Sequence, residues 1–232
     1  TTTINCIIKL FQKRGLKIAL CAPTGRAAKR MTELCGMEAK TIHRLLEVEW
    51  GENDKPVFKR NLRNPLDCQA VIVDEMSMVD VFLMNYLVKA LFLGTKVIFV
   101  GDPNQLPSVG PGCILKDLID SGEFATVHLD KIFRQAAKSK IIVNAHNVNN
   151  GINFIGKKDY GEDAENDFFY INETSTAKMV EDVISLCTGR LKKFGNYDFF
   201  KDIQVLTPTK KGKLGTKELN VELQIALNQN KD

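Results

Sequence analysis

Residues 70–112 read AVIVDEMSMVDVFLMNYLVKALFLGTKVIFVGDPNQLPSVGPG, and two apolar runs inside this stretch decide the fold class. Val71-Ile72-Val73 is short, β-branched and wholly apolar, the composition of a central parallel strand covered on both faces. Lys96-Val97-Ile98-Phe99-Val100 repeats the design and empties into Gly101-Asp102-Pro103-Asn104-Gln105. Asp74 and Glu75 stand where the first strand runs out, and in open α/β sheets ligands bind beyond the carboxyl ends of the strands. A carboxylate pair at such a point suits a nucleotide hydrolase. The first holds Mg²⁺ through its waters, and the second orients or deprotonates the attacking water. Gln105 adds a neutral amide at the neighbouring strand end, suited to sensing a γ-phosphate. A strand also ends in Asp simply because turns favour it. Two adjoining strand ends with complementary phosphate chemistry favour the functional reading.

Outward from this stretch the chain alternates strands and helices. Lys17 to Ala22 is an expected strand, closed by Pro23-Thr24-Gly25 into a helix over Arg26 to Leu34. The amides of that helix start, with Arg26, Lys29 and Arg30 nearby, form a ready phosphate site. Thr41-Ile42-His43 opens another short helix, in which His43 is either a core or capping histidine or a ligand contact. Glu47 to Asp67 is polar and Pro-punctuated, the pattern of a loop or small hairpin. Its Trp50 either stacks on a base or pins the loop to the core. Val79 to Leu93 reads as a buried helix and Ile114 to Ile119 as a short one.

Thr126 to Leu129 is expected to be a strand leading to Arg134, whose guanidinium suits the charge on a transferring phosphoryl group. Ser139 to Asn150 has helical spacing, and Phe168 to Ile171 and Ile203 to Leu206 read as strands. Helices are expected over Thr174 to Thr188 and Leu214 to Asn228.

Composition excludes several classes. Hydrophobic content of 44% with 26% charged residues over 232 residues is globular rather than disordered. No apolar run approaches the ~20 residues that cross a bilayer, so no membrane partner is expected. The six cysteines are scattered without CxxC spacing, which argues for reduced core thiols in a cytoplasmic protein and against a zinc site. A net charge of +4 permits nucleic-acid binding without arguing for it, because binding needs only a local basic groove.

VIVDEMSMVD and VIFVGDPNQLPSVGPG resemble motifs II and III of superfamily 1 helicases, in the branch typified by the RecD and TraA proteins. Leu20 to Arg30 resembles motif Ia, Thr41 to Leu46 the segment after it, and Leu129 to Gln135 motif IV. Val205 to Pro208, with Gly212 and Leu214-Gly215, resembles the start of the conserved part of a second motor domain. The likeness spans nearly the whole chain in the family's order. It implies an α/β, RecA-like P-loop fold over 1–137, followed by the N-terminal part of a second RecA-like domain over 138–232.

The resemblance further implies ATP and Mg²⁺ as cofactors, with Thr1 and Asp74 on the metal. Asp102, Gln105 and Arg134 would lie at the nucleotide, and Glu75, Gln105 and Arg134 would act in hydrolysis. Single-stranded DNA would be held by Pro23, Thr24, Arg26, Thr41, His43, Thr207 and Pro208. Movement would run 5′-to-3′ in recombination, repair or conjugation, with other nuclease or helicase subunits as partners. A P-loop, G-x-x-x-x-G-K-[ST], occurs nowhere in the sequence, and in RecD-type helicases it reads on as GKTTTI. The chain is therefore expected to begin just after the phosphate-binding lysine and to bind ATP poorly by itself. Nothing in it resembles the family's motifs V and VI. Two rivals stay open: a P-loop ATPase of another lineage, disfavoured by GDPNQLP, and a catalytically silent nucleic-acid-binding module of the same fold.

Overall fold

Four short strands, of which Ile18–Ala22 and Ala70–Val73 are wholly apolar, pair in parallel in the N-terminal half of the chain. The computed structural model describes residues 2–51, 56–129, 139–153 and 167–228. The chain divides into two units, Thr1–Lys131 and Ile132–Asp232. In the first unit β1 (Ile18–Ala22), β2 (Ala39–Thr41), β5 (Ala70–Val73) and β6 (Lys96–Phe99) form one sheet in the order β2-β1-β5-β6, parallel throughout. The helices are α1 (Thr2–Lys13), α2 (Gly25–Cys35), α3 (Ile42–Leu45), α4 (Val81–Lys89) and α5 (Ile114–Asp120). A hairpin of β3 (Val48–Trp50) and β4 (Pro56–Phe58) follows α3.

Strand periodicity of two sorts the core into two layers. Leu20 and Ile72, register partners on β1 and β5, pack with Ile4 and Ile8 of α1 and Met31 of α2. Their neighbours Cys21, Val71 and Val73 point the other way, onto Ile42, Leu46, Met76, Leu83, Leu87 and Leu115. Both faces of β5 are therefore covered, which is why Ala70 to Val73 carry no polar side chain. The parallel α/β fold with helices on both faces is as the residue pattern implies. The second apolar run differs in degree: β6 lies at the end of the sheet, and Val97, Ile98 and Phe99 are half-buried rather than enclosed.

Local chemistry sets the helix limits. Ile4, Ile8 and Phe11 recur at helical spacing and are the buried residues of α1. Thr24 caps the start of α2, and Gly36 ends it in the left-handed region (φ 63°), its amide donating to Thr32 O.

The second unit carries α6 (Lys140–Asn149), α7 (Thr176–Ser185), α8 (Leu191–Gly195), α9 (Phe199–Asp202) and α10 (Thr216–Leu227). A π turn over Leu186–Arg190 joins α7 to α8, so the helical stretch outruns the expected end at Thr188. Leu219 and Leu223 are buried on α10 as their spacing implies. Three expected strands are corrected: residues 126–129, 168–171 and 203–206 join no ladder among the described residues. Their β-branched and aromatic content suits an extended backbone, but a strand exists only where a neighbour completes its hydrogen bonds. The expected division at 137/138 compares with an observed one at 131/132.

Candidate functional site

The carboxyl ends of β1, β5 and β6 lie side by side, and the turn leaving β5 folds across the end of β6. The Asp74 amide donates to Cys21 O of β1 at 2.9 Å, and Asp74 Oδ1 accepts the Glu75 amide at 2.9 Å. Val100 N donates to Val73 O at 2.8 Å and Met76 N to Val100 O at 2.9 Å, so the exit of β6 is held to the exit of β5. Glu75 sits at φ 53°, ψ 42°, in the left-handed region that non-glycine residues seldom adopt. Such strain at a strand end is kept only where its surroundings impose it, and it collects at functional sites. Asp74 and Glu75 are half-buried, each with part of its surface open to solvent.

Gly101 is required by this close approach. A methyl group added there would lie 3.0 Å from Met76 N, 3.2 Å from Ser77 N and 2.9 Å from Leu115 Cδ2. Beyond it the Asn104 amide donates to Asp102 Oδ1 at 2.9 Å and the Gln105 amide to Asp102 O at 3.2 Å, a tight Asx turn. The Asp102 and Gln105 side chains are exposed at the same strand end. Ser77 is buried on the other side of the turn, and its hydroxyl has no hydrogen-bond partner among the described residues.

Four predicted residues, Asp74, Glu75, Asp102 and Gln105, are thus gathered at adjoining strand ends. Thr1 and Arg134 lie outside the described residues. No group of three or more His, Cys, Asp or Glu suited to a metal occurs among the described residues. The donor set fits Mg²⁺, which takes one or two carboxylates and completes its shell with phosphate oxygens and water.

A second cluster lies at the ends of β1 and β2. Ala22 and Thr41 are register partners, so the starts of α2 and α3 are neighbours. The Thr24 hydroxyl accepts the Ala27 amide and the Thr41 hydroxyl the Arg44 amide, each at 3.2 Å. Both threonines are helix caps, a structural role the spacing did not reveal. Pro23 is half-buried and Arg26 exposed beside them. His43 is half-buried, its ring centroid 5.9 Å from that of Phe58, which lies 4.4 Å from Tyr86. Phe58 thereby ties the hairpin to α4, and His43 joins it from α3.

Trp50 is 68% exposed, which corrects the expectation that it pins the hairpin to the core. Cys6 and Cys113 are exposed, so the thiols are not uniformly core residues. In the second unit Thr207 Oγ1 donates to Leu214 O, closing a loop that runs into α10, and Pro208 is exposed on it. Sequence reasoning missed Asp80, which caps α4 through the Leu83 amide at 2.7 Å and seats the Gly110-Pro111-Gly112 turn. The only signal was that Gly-Pro-Gly run.

A family profile described as an AAA domain matches residues 1–111. The ATP-dependent RecD2 DNA helicase of Deinococcus radiodurans is 36% identical over 228 residues, covering 98% of this chain and 29% of that protein. The RecBCD enzyme subunit RecD of Mycolicibacterium smegmatis is 34% identical over 143 residues, covering 52% of this chain and 26% of that protein. The chain thus spans less than a third of the length of these curated relatives. Among solved structures, Bacteroides Pif1 bound to single-stranded DNA aligns with a TM-score of 0.42 at 22% identity, covering 79% of this chain and 50% of that one.

Proposed function

Because this chain belongs to the RecD-type branch of superfamily 1 helicases, we propose that it supplies the ATP-hydrolysing and strand-gripping parts of an ATP-dependent DNA helicase. One observation carries the reading: Asp74 and Glu75 stand beside the exit of β6, joined to it through Met76 N and Val100 O at 2.9 Å. In this reading Asp74, with Thr1, holds Mg²⁺. The bound ion would neutralise charge on the phosphate oxygens. Glu75 orients the attacking water and accepts its proton, and it stands half-buried on a turn whose backbone is in the left-handed region. Gln105, with Asp102 bracing its turn, offers its amide to the γ-phosphate, and Arg134 meets charge on the transferring group.

Pro23, Thr24, Arg26, Thr41 and His43 form the first unit's contact with single-stranded DNA. Two capped helix starts present backbone amides there, and Arg26 is an exposed cation at the rim. Thr207 and Pro208 contribute from the second unit, which we assign as the N-terminal part of a second RecA-like domain over 138–232. Affinity then falls with salt and depends weakly on base sequence. The 5′-to-3′ direction, a role in recombination, repair or conjugation, and nuclease or helicase partner subunits follow from the family resemblance, and a cytoplasmic location from the scattered cysteines without CxxC spacing.

The test is DNA-stimulated ATP turnover by a protein of the relatives' full length, wild type against Glu75→Gln. Turnover should fall on the order of 10²-fold or more, as expected on losing general-base help. Equal turnover in the two proteins removes Glu75 from the mechanism. A wild-type protein that binds DNA but never hydrolyses ATP supports the silent module instead.

A further inference from the structure

A cleft of about 380 Å³ opens between the first turns of α2 and the β2–α3 corner, with Gly25 and Lys29 on one wall and Lys40, Thr41 and Arg44 on the other. Its walls are held at a fixed spacing. The Thr32 hydroxyl, half-buried between them, accepts the Ala39 amide of β2 at 2.9 Å and donates to Ala28 O of α2 at 3.0 Å. The cleft is therefore a formed feature of the sheet's β2 end rather than a gap between loose side chains.

Its charge is one-sided. Three cations, Lys29, Lys40 and Arg44, line it against a single carboxylate, Glu38. Glu38 approaches Lys40, and Glu33 approaches Lys29, only to 3.9 Å, with all four side chains substantially exposed. Pairs so long and so wet neutralise little. Arg44 forms no salt bridge among the described residues. A rigid concave surface with unspent positive charge fits an anion, and an exposed mouth at the edge of the sheet fits an extended one.

The occupant follows from where the cleft lies. It shares Thr41 with the strand-binding cluster and starts at Gly25, the residue after Thr24. A sugar–phosphate chain resting on Thr24 and Arg26 would enter it directly. We propose that this cleft is a second phosphate subsite for single-stranded nucleic acid, in which Lys40 and Arg44 neutralise backbone phosphates beyond those held at Thr24 and Arg26. The inference rests on the single-strand reading given above and extends its footprint over the end of the sheet. Neither Lys40 nor Arg44 belongs to the strand-binding residues assigned above.

The test is a salt titration of a fluorescent oligothymidylate binding to the 232-residue chain, followed by anisotropy. For a single strand, the slope of log K against log salt is about 0.7 per phosphate neutralised. Lys40→Gln with Arg44→Gln should make the slope shallower by about 1.4, twice that single-contact value. The charge-preserving pair Lys40→Arg with Arg44→Lys should keep the wild-type slope, which separates lost charge from damaged folding.

Arg26→Gln is the reference for the neighbouring contact. If Arg26→Gln flattens the slope and the Lys40/Arg44 pair does not, the subsite is wrong and the single-strand reading stands. If the wild-type chain binds no strand at any salt concentration, the single-strand reading itself fails. Millimolar inorganic phosphate that displaces the strand from wild type but not from the Lys40/Arg44 variant makes the cleft a free-anion site and overturns the proposal.

Discussion

A methyl group added to Gly110 would lie 2.0 Å from Asp80 Oδ2. The other oxygen of the same carboxylate already accepts the Leu83 amide at 2.7 Å, so Asp80 cannot swing away without uncapping α4. The neighbouring peptides reinforce the contact, since Val81 N donates to Pro111 O at 3.0 Å and Ser108 Oγ to Gly110 O at 2.9 Å. The loop carrying Gln105 is thus seated on the segment that follows Glu75.

Gly110→Ala should therefore destabilise the first unit by about 1–3 kcal/mol, the usual cost of overpacking. Adding Asp80→Ser, which keeps a capping oxygen on a shorter side chain, should recover most of the loss. Urea unfolding of the two single variants and the double variant measures the coupling. Additive losses would show that the two residues do not meet.

Thr24 caps α2 through Ala27 N. Thr24→Ala should cost about 1 kcal/mol of stability, while Thr24→Asn, which keeps a capping acceptor, should cost only a few tenths. Thermal melts distinguish the two. Equal losses would mean that the hydroxyl does not act as a cap.

Burial pushes the Cys21 thiol up to about 12, and the adjacent Cys68 adds to the effect. The reactive species is the thiolate, so Cys21 should stay unmodified by iodoacetamide at pH 8 in the folded chain. The exposed Cys6 and Cys113 should react first. Mass spectrometry of the alkylated peptides reads the order directly, and early labelling of Cys21 would contradict its enclosure.

The Ser139 hydroxyl, donating to Asp167 Oδ2 at 2.5 Å, and the Lys140 amide, donating to Oδ1 at 2.8 Å, hold the Asp167 carboxyl below its usual range. For an acid lowered on folding, the stabilisation is complete above the unfolded value, ~3.9, and is lost as pH falls through the folded value. Protection of the α6 amides, with exchange corrected for its intrinsic pH dependence, should therefore fall on acidification below about pH 4, in a way that Asp167→Asn removes. A wild-type profile matching the variant's across that range would refute the link.

The sheet was legible in the sequence because a parallel strand covered on both faces leaves no room for polar side chains, and Val71-Ile72-Val73 has none. The placing of Asp74, Glu75 and Gln105 at adjoining strand ends was legible for the same reason. Strand limits are marked by where apolar character stops, and parallel neighbours end on one side of the sheet. Trp50 shows the limit of such reading, because its composition fitted both a buried pin and the exposed residue that the hairpin presents.

Residues 126–129, 168–171 and 203–206 have strand-like composition, yet pairing is a property of two segments and no single segment encodes it. The left-handed Glu75 turn, the Asp80–Gly110 seat and the Lys40–Arg44 cleft belong to the same class. Each depends on distances between residues far apart in the chain, set by the register of β1, β2, β5 and β6. The sequence by itself determined that Val71-Ile72-Val73 and Lys96 to Val100 are apolar strand segments and which polar residues follow them. Only the folded chain decided which of those residues meet, because side-chain contacts across a sheet are fixed by register and close backbone approach rather than by local composition.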